Sequence, residues 1–327
     1  MKARQRIYVI VPLIILATVP ACQQTFVIGD SAAPPASAAP RPLLLPATLP
    51  PRPVAALPTA RITPAAPPGA VSAPLATLTP LVDPRPFTAA AQAAALPAGW
   101  FEVGRSVEGR AITARRFGAG PRALLLVGGI HGGWEANTVT LIEELIAHFE
   151  ANPADVLPGM ALVLLPAANP DGLARGRSAE GRFNANGVDL NRNWGCNWSA
   201  QAVWRDQPVS AGPRPFSEPE TQALAALVRQ LQPAAVLFYH SAASGVFAGR
   251  CNGDHGSALL AQVLGEAAGY SYGQPFSAYR VTGTAPSWVD GQGIPAADVE
   301  LQSSSDSEFA RNLAGVMALQ RWLAGGG

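Results

Sequence analysis

From about Ala89 to Leu323, apolar runs alternate with stretches of helical period. Ala123–Val127 is a continuous apolar run of the kind seen in a strand covered on both faces, and a glycine-rich turn follows it. Asn137–Phe149 carries leucine and isoleucine at helical spacing, and Ala161–Leu165 reads as a second buried strand. Ser217-Glu-Pro-Glu220 reads as a capping box, with Ser217 bonding first-turn amides and Glu220 reaching back, opening a helix that runs to about Gln230. Ala234–Tyr239 is a third buried strand. Short buried strands between helices predict an α/β fold: a single domain with a mixed, mostly parallel central sheet flanked by helices. Sites in such sheets form where loops leave the carboxyl ends of strands.

The first ninety residues follow another pattern. Lys2, Arg4 and Arg6 precede an uncharged apolar run, Ile7–Val19, too short to span a bilayer comfortably and suited to a signal-peptide core. It ends at Val19-Pro20-Ala21-Cys22, which resembles a bacterial lipobox with Cys22 as the lipidated residue. Cleavage after Ala21 without lipidation, or an uncleaved anchor, would equally place the remainder outside the cytoplasm. Residues 31–90 hold 16 of the chain's 32 prolines. That density removes backbone donors and fixes φ, so the stretch reads as an extended, disordered spacer. The expected organisation is a signal peptide of lipoprotein type over 1–22, a Pro/Ala-rich linker over 23–88 and a catalytic domain over 89–327. The protein is expected to be extracytoplasmic, either a cell-surface lipoprotein held to the membrane by its N-terminal lipid or a secreted enzyme.

Charge narrows the partners. With 23 Lys+Arg against 22 Asp+Glu the net charge is +1, so no basic field points to nucleic acid. Three cysteines are too few for a disulfide-built scaffold, so a packed core must hold the fold. A monomer is expected.

Histidine is scarce, and its placement is informative. Of four, His131 follows the first buried strand and His240 lies at the end of the third; His148 falls inside a predicted helix and His255 in a polar loop. Two imidazoles and a carboxylate make a catalytic zinc set with one position left open for water. Taken alone, a strand-end histidine is more often a core or surface residue.

The surrounding motifs sharpen this. Asn169-Pro-Asp-Gly172, Gly187-Val-Asp-Leu-Asn-Arg-Asn-Trp194, His240-Ser241 and Glu300-Leu301 resemble, in order, those of the carboxypeptidase A-like zinc metallocarboxypeptidases, over roughly Val103–Leu301. The resemblance implies a carboxypeptidase-like fold with one zinc ion held by His131, Glu135 and His240. It implies that Asp189 accepts from the far nitrogen of His131, and that Asn191 and Arg192 clamp the free C-terminal carboxylate of a peptide substrate. Glu300 would be the general base toward the attacking water and then the acid toward the leaving amine. Tyr279 matches a mobile tyrosine that closes on the substrate terminus. Arg182 is the choice for stabilising the oxyanion, with Arg175 and Arg177 as rivals.

The chain departs from that pattern in three places. The first two ligands are spaced His-x-x-x-Glu, one residue longer than usual, and Gly132 and Gly133 are expected to let Glu135 reach the metal. Trp134 replaces an arginine often found before the ligand Glu. Pro286 stands where basic-specific relatives carry an acid and Asp290 is expected to be out of place, so an apolar or neutral terminal residue is expected. Cys196 and Cys251 border the same site, and a disulfide between them is expected outside the cytoplasm. Two other readings stay open: a cell-wall peptide hydrolase of the same fold, and a surface binding protein that lost its metal through the shifted Glu135.

Overall fold

The computed structural model describes residues 96–325. The signal segment with Cys22, the linker over 23–88 and the first residues of the domain expected from 89 lie outside the described residues.

In chain order the strands are β1 (Gly99–Arg105), β2 (Ala111–Phe117), β3 (Arg122–Val127), β4 (Met160–Leu165), β5 (Ala202–Trp204), β6 (Gln207–Val209), β7 (Ala235–Ser241), β8 (Gly245–Ala248) and β9 (Ala296–Leu301). The helices are α1 (Ala136–Ala151), α2 (Pro170–Ala174), α3 (Pro219–Leu231), α4 (Ser257–Ala268), α5 (Ala285–Asp290) and α6 (Phe309–Gly325). Seven strands form one sheet in the order β1-β2-β4-β3-β7-β9-β8, and β5-β6 make a separate small hairpin. The four central strands run parallel, while β1, β2 and β8 join antiparallel at the two edges.

The central strands are continuously apolar because both sheet faces are covered. On one face, Leu125, Val127, Val163, Val236 and Phe238 pack with α3, α5 and Trp194. On the other, Leu124, Leu126, Leu162, Leu237 and Tyr239 pack with α1, α4 and α6. Neighbours in sequence thus alternate between two cores, as the period of two in a strand requires. Among the described residues no helix is long and apolar enough to cross a membrane.

One expected device is corrected. There is no capping box at α3: Glu218 is the N-cap and makes no side-chain cap bond. Ser217 Oγ instead donates to Glu218 Oε1 at 2.6 Å, and Glu220 accepts from the Val107 amide and from Asn184 Nδ2. Tertiary partners take the side chains that the local pattern assigned to the helix end. The third buried strand also runs two residues further than expected, so His240 lies inside β7 rather than after Tyr239.

Parallel β3, β7 and β9 bring their carboxyl ends to one edge. A 3-10 turn at Gly132–Glu135 follows β3 and leads straight into α1. Gly132 has φ +45°, and a Cβ there would lie 2.6 Å from the backbone of Gly172, so a side chain is excluded on both counts. In Asn169-Pro-Asp-Gly172, Asn169 caps α2 by accepting from the Gly172 amide at 2.8 Å. Asp171, fully buried, accepts from Ser106 Oγ, the Glu108 amide and Arg110 Nη1, tying the β1–β2 turn to the loop after β4.

Cys196 and Cys251 form a disulfide that joins the segment after Trp194 to the loop after β8. It closes a loop across a sequence separation of 55. Replacing both cysteines by serine is therefore expected to cost about 3–4 kcal/mol. Chemical denaturation of the oxidised and the double-serine proteins checks this; equal midpoints would contradict it.

Candidate metal centre

His131, Glu135 and His240 are buried, and one ligand atom from each lies within 4.8 Å of the others. His131 Nδ1 is 2.9 Å from Glu135 Oε1, His240 Nδ1 is 3.1 Å from Glu135 Oε2, and the two Nδ1 atoms are 3.2 Å apart. The longer spacing therefore does not carry Glu135 away: the 3-10 turn between the two ligands swings its carboxylate back.

The far nitrogens explain why the near ones converge. His131 Nε2 meets Asp189 Oδ1 at 3.2 Å, and His240 Nε2 meets Asp298 Oδ1 at 3.0 Å. In the tautomer that donates each Nε2–H to its aspartate, both Nδ1 lone pairs and the Glu135 carboxylate face a common point. A metal cation at that point would be held by all three. Two imidazoles and one carboxylate with an open side suit zinc.

The electrostatics agree. Burial opposes ionisation of Glu135, but His131 and His240 outweigh it and hold the group below the usual carboxylate range. Burial alone would lower His240, yet Asp298 and Glu135 raise it well above the ordinary imidazole value. Burial likewise opposes ionisation of Asp189, and Arg182, His131 and Arg192 together hold it well below its usual range. The pocket is arranged to hold positive charge.

The Gly187–Trp194 segment is locked from within. Asp189 caps the 3-10 turn Leu190–Arg192 through the Asn191 amide at 3.0 Å, and Trp194 Nε1 donates to Leu190 O at 2.9 Å. Asn191 Oδ1 accepts from the Ala285 amide at 2.8 Å, which turns its NH2 toward His240, 3.3 Å from Nε2. Arg192 is buried, donating to Val203 O and Asn191 O. Arg182 is also buried, donating from Nε and Nη2 to Asp189 Oδ2, with its guanidinium 4.6 Å over the Trp204 ring. Its Nη1 lies 3.5 Å from Glu135 Oε1.

Arg182, Asn191, Arg192, Tyr279 and Glu300 line one cleft together with His131 and His240. Glu300 stands level with His240 on β9 and accepts from the Ala243 amide at 3.2 Å. Burial raises it to about 7, with nearby Glu135 and Asp298 adding to the shift and His240 opposing it. Burial also raises Tyr279, whose ring meets Phe276 edge-on at 4.9 Å. Arg175 and Arg177 do not reach the cleft: both are exposed, bonded to Asn184 O with Glu108 and to Ser304 respectively. Asp290 is buried away from it, bonding Ser257, His255 and the Cys251 amide. His148 pairs with Asp155 at the end of α1.

Two participants were not singled out in the sequence. Asp298 holds the far nitrogen of His240; the available signal was its position two residues before Glu300, on the same strand face. Trp204, in a three-residue strand, supports Arg182 and gave no periodic signal.

Together the fold and this centre define a zinc-dependent hydrolase built on an α/β sheet. A model described as zinc carboxypeptidase matches residues 98–309, and the chain belongs to that family. Murein peptide amidase A of Escherichia coli (strain K12) is 35% identical over 164 residues, covering 46% of this chain and 62% of that protein. Carboxypeptidase B of Astacus astacus is 35% identical over 138 residues, covering 36% of this chain and 45% of that protein. The matches thus span less than two thirds of these curated relatives. A crystal structure of murein-tripeptide amidase from Escherichia coli O157 superposes with a TM-score of 0.52 at 26% identity, covering 71% of this chain and 95% of that one.

Proposed function

We propose that the chain is an extracytoplasmic exopeptidase that releases the C-terminal residue of a peptide. The observation that carries this reading is convergence: His131 and His240 of the metal triad, Glu300 and two arginines line one cleft. Arg192 and the Asn191 NH2 would receive the terminal carboxylate, because a planar guanidinium meets a carboxylate with two parallel bonds. Arg182, which donates to Asp189 and lies over the Trp204 ring, would stabilise charge developing on the carbonyl oxygen. Glu300 would take the proton of the attacking water and return it to the leaving amine. Tyr279 would close over the substrate terminus. When bound, the metal supplies Lewis-acid polarisation of carbonyl and water.

The base sets a pH dependence. A carboxylate must be ionised to accept a proton, so kcat/KM is expected to rise with pH on its acid side. Its midpoint should lie at or below about 7, since bound zinc stabilises the ionised form. A profile flat from about pH 5 to 8 would contradict the assignment.

Cell-wall peptides are the second substrate reading. It is favoured by the match that takes in 95% of the murein-tripeptide amidase chain. A lipid on Cys22, or secretion, would put the enzyme in reach of either substrate, and lipid labelling of the parent and of Cys22→Ser tests the anchor. Muropeptides and ordinary peptides offered in parallel, with products weighed by mass spectrometry, separate the two. Loss of one terminal residue from ordinary peptides supports the first; cleavage confined to wall peptides supports the second; cleavage of neither overturns the proposal.

A further inference from the structure

Pro286 gave the expectation of an apolar or neutral terminal residue, and the structure buries it within α5, where it does not line the cleft. Besides Glu300, the acid that lines the cleft is Asp298. Along β9, Asp298 and Glu300 point to the same face, and the pairing with β7 sets Glu300 level with His240 and Asp298 level with Phe238. Asp298 therefore lies one pleat, about 6–7 Å, further from the carboxyl edge than the proposed base. Phe247 is its register partner on β8, and Val281, Phe276 and Thr284 line the same cleft.

Only one carboxylate oxygen of Asp298 is used. Oδ1 accepts from His240 Nε2; among the described residues no donor meets Oδ2, and the side chain keeps 18% of its exposure. The two arginines of the cleft do not serve it, since Arg182 is committed to Asp189 and Arg192 to backbone carbonyls and, on the proposed reading, to the substrate carboxylate. A carboxylate oxygen without a donor attracts a cation, and Phe247, Phe276 and Val281, which line the same cleft, offer apolar surface to methylenes.

We propose that Asp298 is a specificity-determining residue that selects a terminal residue bearing a cation on an apolar stem, as in lysine, arginine or a diamino acid. This rests on the reading that the cleft receives a peptide C-terminus. Asp298 has two roles, because Oδ1 positions His240 while Oδ2 faces the substrate side chain. Loss of the first lowers turnover of every substrate alike, whereas loss of the second changes the ratio between substrates.

The test uses peptides identical except for a terminal lysine, arginine, diaminopimelate or norleucine. Turnover is measured with the zinc-loaded protein, and equilibrium binding with the zinc-loaded Glu300→Gln variant. Cationic termini are expected to exceed norleucine by at least about tenfold in kcat/KM and in binding, with the ratio collapsing toward one in Asp298→Asn. Zinc content of that variant reports on His240 separately. Norleucine equal to lysine in the parent, or an Asp298→Asn variant that loses all substrates with the ratio intact, would overturn the proposal. Tenfold tighter binding of cationic termini without turnover would uphold the pocket and overturn the exopeptidase reading. Preference for diaminopimelate over lysine would place the natural substrate in the cell wall while keeping the same recognition.

Discussion

Glu300→Gln is expected to lower kcat by about 10²–10⁴-fold while zinc content and peptide binding stay at parental levels. The substitution is close to isosteric. A glutamine Oε1 can still accept from the Ala243 amide, so the strand end and the loop after β7 keep their tie. What disappears is a group able to take up and return a proton. Burial raises the Glu300 carboxyl to about 7, the range in which proton acceptance and donation near neutral pH are both accessible. Single-turnover kinetics beside metal analysis reads the two quantities independently. A variant within about tenfold of the parent would remove Glu300 from the proton transfer.

Glu135→Gln is expected to weaken zinc binding by more than about 100-fold, since outer partners of ligands already account for 10–100-fold. The amide matches the carboxylate in size but lacks its charge. Two neutral imidazoles would then face the metal without a counter-ion in a buried pocket. Hydrolysis should fall with occupancy and partly recover at high zinc. Competition against a chelating dye measures the affinity; parental affinity would show that the longer His131–Glu135 spacing had taken Glu135 out of the ligand set.

The central strands were legible because continuous apolar runs at β3, β4 and β7 report burial on both faces directly. The edges were not. β1 and β2 mix arginine, glutamate and glycine with apolar residues, and β5 and β6 have three residues each. The supposed cap at α3 failed because Glu218 and Glu220 bond Asn184, and Glu218 also Asn186, across more than thirty residues of chain.

At the site, residues anchored to strand ends or to the Gly187–Trp194 motif could be placed from the sequence, and the structure gathers them in one cleft. Glu135 depended on backbone freedom at Gly132, which the sequence suggested and the φ of +45° realises. Asp298 escaped because its partner His240 is 58 residues away and the meaning of both depends on the parallel register of β7 and β9. Pairing across a sheet is a tertiary property that a local pattern does not encode.

The most direct test of a zinc exopeptidase is metal content measured together with release of C-terminal residues before and after chelation. The expected result is about one zinc per chain, as a single His-Glu-His set provides, with hydrolysis lost on chelation and restored by zinc. A chain that carries no zinc, or one whose hydrolysis survives its complete removal, would contradict the account.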